Sequence, residues 1–370
     1  MIPVNTPLLN GNEKKYLLEC VETGWISSEG PFVRRFEEDI ACFVGRQHGI
    51  AVSNGSAALD VAIRALNLEK GSEVIMPTFT IISPAQSLVN EGLVPVLIDS
   101  DPLTWNMDVN QIEAKITSKT KAILVVHIYG LPVDLDAILS LAKKYQLKII
   151  EDAAEMHGQT YNGKQCGSFG DISIFSFYPN KHITTGEGGM ILTDDDELAE
   201  RCRTLKNLCF KPGRRFVHDE LGWNYRMTNM QAALGVAQLE NIQSIVERKR
   251  EIGDRYNQNL KDLINVELPL KSTDYAENIY WVYGLIAKTE VMAIEIQKKL
   301  GDNKIGTRPF FWCMHEQPVF NKLGMFLGET YPQAEKLART GFYIPSGLGL
   351  SNAEIDEVSE QIIKAVSYYG

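Results

Sequence analysis

Ala122-Ile-Leu-Val-Val-His-Ile-Tyr-Gly-Leu-Pro-Val-Asp-Leu-Asp-Ala-Ile-Leu-Ser-Leu-Ala-Lys-Lys-Tyr-Gln-Leu-Lys-Ile-Ile-Glu-Asp152 reads as a strand, a helix and a second strand. Ala122 to Ile128 is a nearly continuous apolar run, Leu135 to Tyr145 is helical, and Lys148 to Ile150 ends on the acids Glu151 and Asp152. A strand covered on both faces loses the apolar–polar alternation and becomes an unbroken apolar run. The pattern extends in both directions. Upstream, strands are expected at Gly49–Ser53, Glu73–Met76 and Val94–Ile98, with helices at Ala57–Leu66, Ser83–Asn90 and Val109–Ile116. Downstream, Ile172–Phe177 and Met190–Leu192 are apolar strands, and Asp195–Asn207 is a helix. Repeated β-α-β units predict an α/β fold with a mostly parallel sheet under helices. In such sheets ligands bind beyond the carboxyl ends of the strands.

The flanks are simpler. Helices are expected at Glu13–Thr23, ending at Gly24, and at Phe32–Phe43, whose Val33, Phe36, Ile40 and Phe43 form one apolar face. Thr228 caps a long helical stretch that runs to Leu260 and bridges to a smaller α/β unit. In that unit Tyr280–Ala287 reads as a strand, and Val291–Leu300 and Gln333–Thr340 as helices. Thr307–Trp312, with its proline, is an edge or a loop. Ser351-Asn-Ala-Glu354 is a capping box that opens the last helix. The expected division is a large domain over 1–240 and a small one over 241–370.

Composition narrows the class. The chain has 370 residues, 44% hydrophobic and 23% charged, enough apolar material for a large core. Its net charge of −10 argues against nucleic acid as the partner, because phosphate neutralisation needs a basic face. No apolar run approaches the roughly 20 residues that span a bilayer, so no membrane partner is expected. The six cysteines are scattered without a Cys-x-x-Cys pair. Free thiols, no metal site, no secretory signal and a cytoplasmic location are expected.

One residue has no packing role in its setting. Lys181 stands at the exit of the Ile172–Phe177 strand, before Thr184-Thr-Gly-Glu-Gly-Gly189. A single amine on a rigid strand end, beside backbone that can approach a ligand, suits a Schiff-base nucleophile. Asp152 could be a mere strand terminator. Paired with Lys181 it makes the minimal apparatus for pyridoxal phosphate (PLP): a carboxylate for the pyridinium nitrogen and a lysine for the aldehyde. Ser53-Asn-Gly-Ser-Ala57, between a strand and a helix N-terminus, is either an N-cap turn or an anion site. It lacks Gly-x-Gly-x-x-Gly spacing, so a dinucleotide fold is not supported. Ser176, a hydroxyl between Phe175 and Phe177, needs a partner if buried: a phosphate oxygen or a backbone carbonyl. Arg308 and His315 could grip a carboxylate or diphosphate, or form a surface ion pair. His182 faces away from Lys181 on an extended chain and is read as packed. Lys211-Pro-Gly-Arg-Arg215 is either a solvated basic turn, the preferred reading, or an anion clamp.

Five motifs together resemble one known family: Ser53-Asn-Gly-Ser-Ala-Ala-Leu59, Glu151-Asp-Ala-Ala-Glu155, Phe175-Ser-Phe-Tyr-Pro-Asn-Lys181, Thr184-Thr-Gly-Glu-Gly-Gly189 and Gly222-Trp-Asn-Tyr-Arg-Met-Thr-Asn229. They are similar to the sugar aminotransferases of the DegT/DnrJ/EryC1/StrS family, in order and over nearly the whole chain. Gly24-Trp-Ile-Ser-Ser-Glu-Gly-Pro31 resembles the family's opening segment, and through it Trp25 and Ser27 are candidate substrate contacts. The resemblance implies fold type I of the PLP enzymes and a homodimer with shared active sites. By position, Lys181 matches the Schiff-base lysine, Asp152 the acid at the pyridine nitrogen, and Glu155 the polar residue at the ring hydroxyl. Ser56, Ala57 and Ser176 match phosphate contacts, and Asn224 the asparagine that reaches the partner's phosphate. One departure is Ile81, where the family usually stacks an aromatic on the pyridine ring. Either aliphatic contact serves there or Phe79 compensates. A dehydratase relative carries histidine at the position of this lysine. Here the aligned residue is Lys181, which favours transamination.

The resemblance also suggests a substrate. Thr307-Arg-Pro-Phe-Phe-Trp-Cys-Met-His-Glu-Gln-Pro318 and Lys249-Arg-Glu-Ile-Gly-Asp-Arg-Tyr256 are similar to family members that aminate carbon 4 of GDP-4-keto-6-deoxymannose for surface polysaccharides, with glutamate as donor. Arg308 and His315 become candidate substrate contacts on that basis. Other UDP- or dTDP-ketosugars, a PLP-dependent sugar dehydratase and a non-catalytic PLP-binding protein remain alternatives.

Overall fold

The computed structural model describes residues 1–210, 213–214 and 216–367. Lys211, Pro212 and Arg215 of the basic turn lie outside the described residues.

The first half alternates strand and helix as the apolar pattern requires. After α1 (Glu13–Thr23) and α2 (Pro31–Val44) come β1 (His48–Val52), α3 (Gly55–Ala65), β2 (Glu73–Pro77), α4 (Ser83–Asn90) and β3 (Val94–Ile98). Then follow α5 (Ile112–Lys115), β4 (Thr120–Val126), α6 (Leu135–Tyr145) and β5 (Lys148–Asp152). The short pair β6 (Thr160–Tyr161) and β7 (Lys164–Gln165) precedes β8 (Ile172–Ser176), β9 (Gly189–Thr193) and α7 (Asp196–Lys206). Seven strands form one sheet in the order β1-β9-β8-β5-β4-β2-β3. The β3–β2, β2–β4, β4–β5 and β5–β8 pairs are parallel, and β9 runs antiparallel to both its neighbours. This is the mostly parallel α/β sheet that the sequence predicts.

The unbroken apolar runs have a direct explanation. Ile50 and Val52, Val74 and Met76, and Leu124 and Val126 pack into the core on one face. The residues that alternate with them, Ala51, Ile75, Ile123 and Val125, pack on the other. Successive side chains of a strand point to opposite faces, so a sheet covered twice needs apolar residues at every position.

The second half begins with α8 (Asn229–Leu239) and α9 (Ile242–Leu260), separate helices where the sequence suggests one. The break has a local cause. The side-chain amide of Asn241 donates to the Ala237 carbonyl at 3.2 Å, the acceptor that a continuing helix would give to its backbone N–H. That N–H turns to Gln238 O instead. Glu240 is tied down by Tyr16 Oη and Asn12 Nδ2, each at 2.7 Å.

Beyond it lie β10 (Val266–Glu267), β11 (Tyr283–Ala287), α10 (Glu290–Asp302), β12 (Arg308–Pro309), α11 (Pro318–Lys322), α12 (Pro332–Thr340), β13 (Gly341–Ile344) and α13 (Asn352–Val366). The strands make an antiparallel sheet in the order β10-β11-β13-β12. Pro309 sits on the edge strand β12, where a missing N–H breaks no ladder. The β13 strand, absent from the sequence reading, is only four residues long and starts at Gly341, the residue that caps α12. The Ser351–Glu354 capping box forms as read. The N-terminus crosses to this half: Ile2 N donates to Lys304 O and Ile2 O accepts from Gly306 N, both at 2.9 Å.

Candidate active site

Parallel strands end together, and their ends carry the chemistry. Asp152 closes β5, in register with Val126 of β4 and Ile174 of β8. Lys181 follows β8 on a turn whose backbone closes from Lys181 N to Tyr178 O at 2.9 Å. Glu155 stands three residues after Asp152. Its Oε2 accepts from Tyr129 N at 2.6 Å, and its Oε1 lies 3.8 Å from the Lys181 amine. These groups line a cavity of about 630 Å³, roofed from the second half of the chain by Trp281, Phe311 and Tyr343.

Burial dominates the electrostatics. It pushes the Lys181 amine below its ordinary value, while Glu155 and Asp152 pull it back up. It also raises the Asp152 carboxyl to about 6, against the Ala154 N–H that its Oδ1 accepts at 3.0 Å. Burial raises Glu155 as well, opposed chiefly by Lys181. An amine and two acids thus line one cavity with burial disfavouring the charged form of each, the kind of setting that proton transfer uses.

The phosphate candidates converge on a second patch of the same cavity. Asn54 caps α3, its Oδ1 accepting from Ala57 N at 2.8 Å. Ser56 Oγ meets Ser83 Oγ at 2.8 Å. Gly55 lies so close to β8 that a Cβ there would come within 2.7 Å of Ser176 Cβ. Only glycine lets the helix N-terminus and the strand end share this corner.

The sequence profile of the DegT/DnrJ/EryC1/StrS aminotransferase family matches residues 7–363. The chain belongs to this family. It is 43% identical to a GDP-perosamine synthase of Escherichia coli O157:H7, with 98% of this chain and 97% of that protein covered. It is 42% identical to a GDP-perosamine synthase of Caulobacter vibrioides, with 96% of each covered. Among solved structures, the aminotransferase TlmJ from Streptoalloteichus hindustanus superposes with a TM-score of 0.93 at 27% identity, over 100% of both chains. The chain is thus a PLP-dependent sugar aminotransferase of fold type I.

The cavity of this family member fits its cofactor. Thr80 and Asn180 are among its lining residues, and Thr80 Oγ1 and Asn180 Oδ1 are buried there without hydrogen-bond partners. The Ser56, Ser83 and Gly55 corner suits a phosphate at a helix N-terminus. Asp152 and Lys181 are the acid and amine that a pyridine nitrogen and an aldehyde require.

Six of the sequence-derived site residues line the cavity: Ser56, Ile81, Asp152, Glu155, Ser176 and Lys181. Ala57 stands just behind, its N–H engaged by Asn54. Phe79 is fully buried against Tyr129, Phe310 and Phe311 and does not line the cavity, whereas Ile81 does. Asn224 is exposed, its Oδ1 accepting from Arg226 Nε at 2.9 Å. Trp25 and Ser27 are exposed, and their carbonyls accept from Asn229. Arg308 is exposed on β12. His315 is buried away from the cavity, between Thr78 Oγ1 at 2.9 Å and Glu335 Oε1 at 3.2 Å. His182 is buried against His157. Sequence reasoning missed Thr80, Asn180, Trp281, Phe311 and Tyr343. Trp281 and Tyr343 sit in apolar runs with no motif beside them, and Phe311, inside the Thr307–Pro318 motif, is one of several aromatics there, so only the fold distinguishes the three from core.

Proposed function

We propose that the chain moves the amino group of glutamate to carbon 4 of GDP-4-keto-6-deoxymannose, giving GDP-perosamine, as a homodimer whose partner contributes Asn224 to each site. The observation that carries this is the Lys181, Glu155 and Asp152 cluster in a cavity roofed by aromatics. The likeness over nearly full length to proteins named GDP-perosamine synthase supports the substrate.

PLP, when bound, supplies an electron sink for the carbon that loses its proton. The chain supplies the rest. Asp152 would hold the positive charge of a protonated pyridine nitrogen, which in turn favours its carboxylate against the burial that raises it. Lys181 Nζ takes the proton from the α-carbon of the amino donor and gives one to the sugar carbon that receives the nitrogen. Its burial favours the neutral amine that the first transfer needs. Glu155, whose carboxyl burial holds toward the protonated form, can share a hydrogen bond with the cofactor's ring oxygen. Arg308, on the exposed edge near the aromatic roof, suits a diphosphate through its planar fork. Trp25 and Ser27, both exposed, are held as further substrate contacts, whereas His315, buried between Thr78 and Glu335, is not. Glutamate gives up its nitrogen and leaves as 2-oxoglutarate before the ketosugar binds, so the kinetics should be ping-pong.

The test is a panel of GDP-, UDP- and dTDP-linked 4-ketosugars, each incubated with glutamate and read by mass. Gain of an amine on the GDP sugar alone supports the substrate. Turnover of a UDP or dTDP sugar with none of the GDP sugar would replace it and leave the reaction class standing.

A further inference from the structure

Trp281 belongs to none of the motifs that mark the active site, yet it is tied to the catalytic amine twice. Its ring centroid lies 3.8 Å from Lys181 Nζ, well inside the range at which an aromatic face attracts a cation. Its indole N–H donates to the carbonyl of Asn180, the residue before Lys181, at 2.8 Å. One side chain therefore touches the amine and also clamps the backbone from which that amine springs.

Trp281 is itself held from behind. Its carbonyl accepts from Lys249 Nζ at 2.9 Å, and the same amine donates to Ser346 O at 2.6 Å. Lys249, on α9, is only 2% exposed. Burying a lysine is costly, and these two carbonyls are a specific return for it. They fix the start of β11, which delivers Trp281, and the end of β13, which delivers Tyr343 to the same cavity.

We propose that Trp281 is the positioning residue for the Lys181 amine, and that Lys249 braces it. The inference rests on the reading of Lys181 as the catalytic amine. Lysine has a long, freely rotating stem. When its nitrogen is free of the cofactor it must wait in one place to take the α-proton of the amino donor. The indole face gives it that place, between the acids Glu155 and Asp152 on one side and the aromatic roof on the other. The other ionisable groups around it are Tyr178, Glu187 and Tyr343 in the cavity wall and His157, His182 and Lys249 behind. An aromatic face stabilises this nitrogen when it is protonated, free or joined to the cofactor, so removing the face lowers the pH at which it gives up its proton.

The experiment uses the holoenzyme in four forms: Trp281→Leu, Trp281→Phe, tetrafluorotryptophan at 281, and Lys249→Met. Three quantities are read. They are the pH midpoint of the resting visible absorption, the rate of its bleaching by glutamate, and the isotope effect with α-deuterated glutamate. Trp281→Leu is expected to lower the midpoint by about one unit and the rate by about 30-fold, with a larger isotope effect and unchanged half-saturation by glutamate. Trp281→Phe, which keeps a ring but loses the N–H, should keep the midpoint and lose about 5-fold in rate. Tetrafluorotryptophan keeps shape and N–H and weakens only the face, so it should shift the midpoint even if the leucine variant does not fold. Lys249→Met should move rate and midpoint as Trp281→Leu does, by less. Parent-like midpoints in the leucine and fluorinated forms overturn the positioning role, and a parent-like Lys249→Met overturns the brace. Transamination that survives Lys181→Ala would instead overturn the reading of Lys181 beneath both.

Discussion

Lys181 and Asp152 are each legible as an odd residue in an apolar setting, and their environment turns oddity into chemistry. Lys181→Ala should cost at least about 10²-fold in amine transfer from glutamate, since it removes the group that moves the proton. Loss of cofactor bleaching by glutamate in a stopped-flow trace checks it. Asp152 gives a pH prediction with a defined sign. Its folded-state value, about 6, lies above the ordinary 3.8 because burial disfavours its charge. Between those values the folded cofactor-free chain binds more protons than the unfolded one, so this group's contribution to stability declines as pH rises from about 4 to 6. Asp152→Asn should therefore stabilise the cofactor-free chain at pH 7, by on the order of 2 kcal/mol, while abolishing transamination. Denaturant unfolding of both chains at pH 4 and pH 7 measures it. An equal gain at both pH values would count against burial as the cause. A pyridinium against Asp152 favours its charged form, so the cofactor should lower this value, and the gap in stability between parent and Asp152→Asn at pH 7 should close once PLP is bound.

At the scale of elements, the site is a corner between α3 and β8. The N-terminus of α3 can reach the end of β8 because Gly55 has no side chain. Gly55→Ala would drive a methyl group into Ser176 and push the two elements apart. Overpacking of this kind costs about 1–3 kcal/mol. The expected outcome is a lower unfolding temperature and faster loss of PLP on dialysis, read by absorbance. PLP retention equal to the parent's would mean that the corner does not hold the cofactor. The α13 cap provides a contrast far from the chemistry. Ser351 Oγ accepts from Glu354 N at 3.3 Å, and the Glu354 carboxylate accepts back from Ser351 N at 2.8 Å. Ser351→Ala should cost about 1 kcal/mol of stability and leave turnover per folded chain unchanged.

At the scale of the molecule, the cavity is closed by chain segments a hundred residues or more apart. Lys181 is roofed by Trp281, and Tyr343 arrives from β13. The exposed Asn224, outside its own chain's cavity, gives the shared-site dimer a sharp test. Lys181→Ala and Asn224→Ala chains should each be nearly inactive alone. Unfolded together and refolded at equal amounts, they should recover about a quarter of parental activity, because half the dimers then hold one intact site. No recovery in chains that do form mixed dimers would place Asn224 in its own subunit's site or in none. The sequence by itself determined the α/β class, the strand ends and the motif residues Lys181, Asp152, Glu155, Ser56 and Ser176. Those properties are local: apolar periodicity follows from burial on both faces, and a motif is a spacing along one chain. Only the tertiary structure decided that α8 and α9 are separate helices, since Asn241 diverts the Ala237 carbonyl. It also set Phe79 into the core and left Ile81 at the cavity, and it placed Trp281 over Lys181 with Lys249 behind it. Contacts between distant segments leave no period and no spacing in the chain. A tryptophan in an apolar run therefore reads the same whether it packs on leucine or on a catalytic amine.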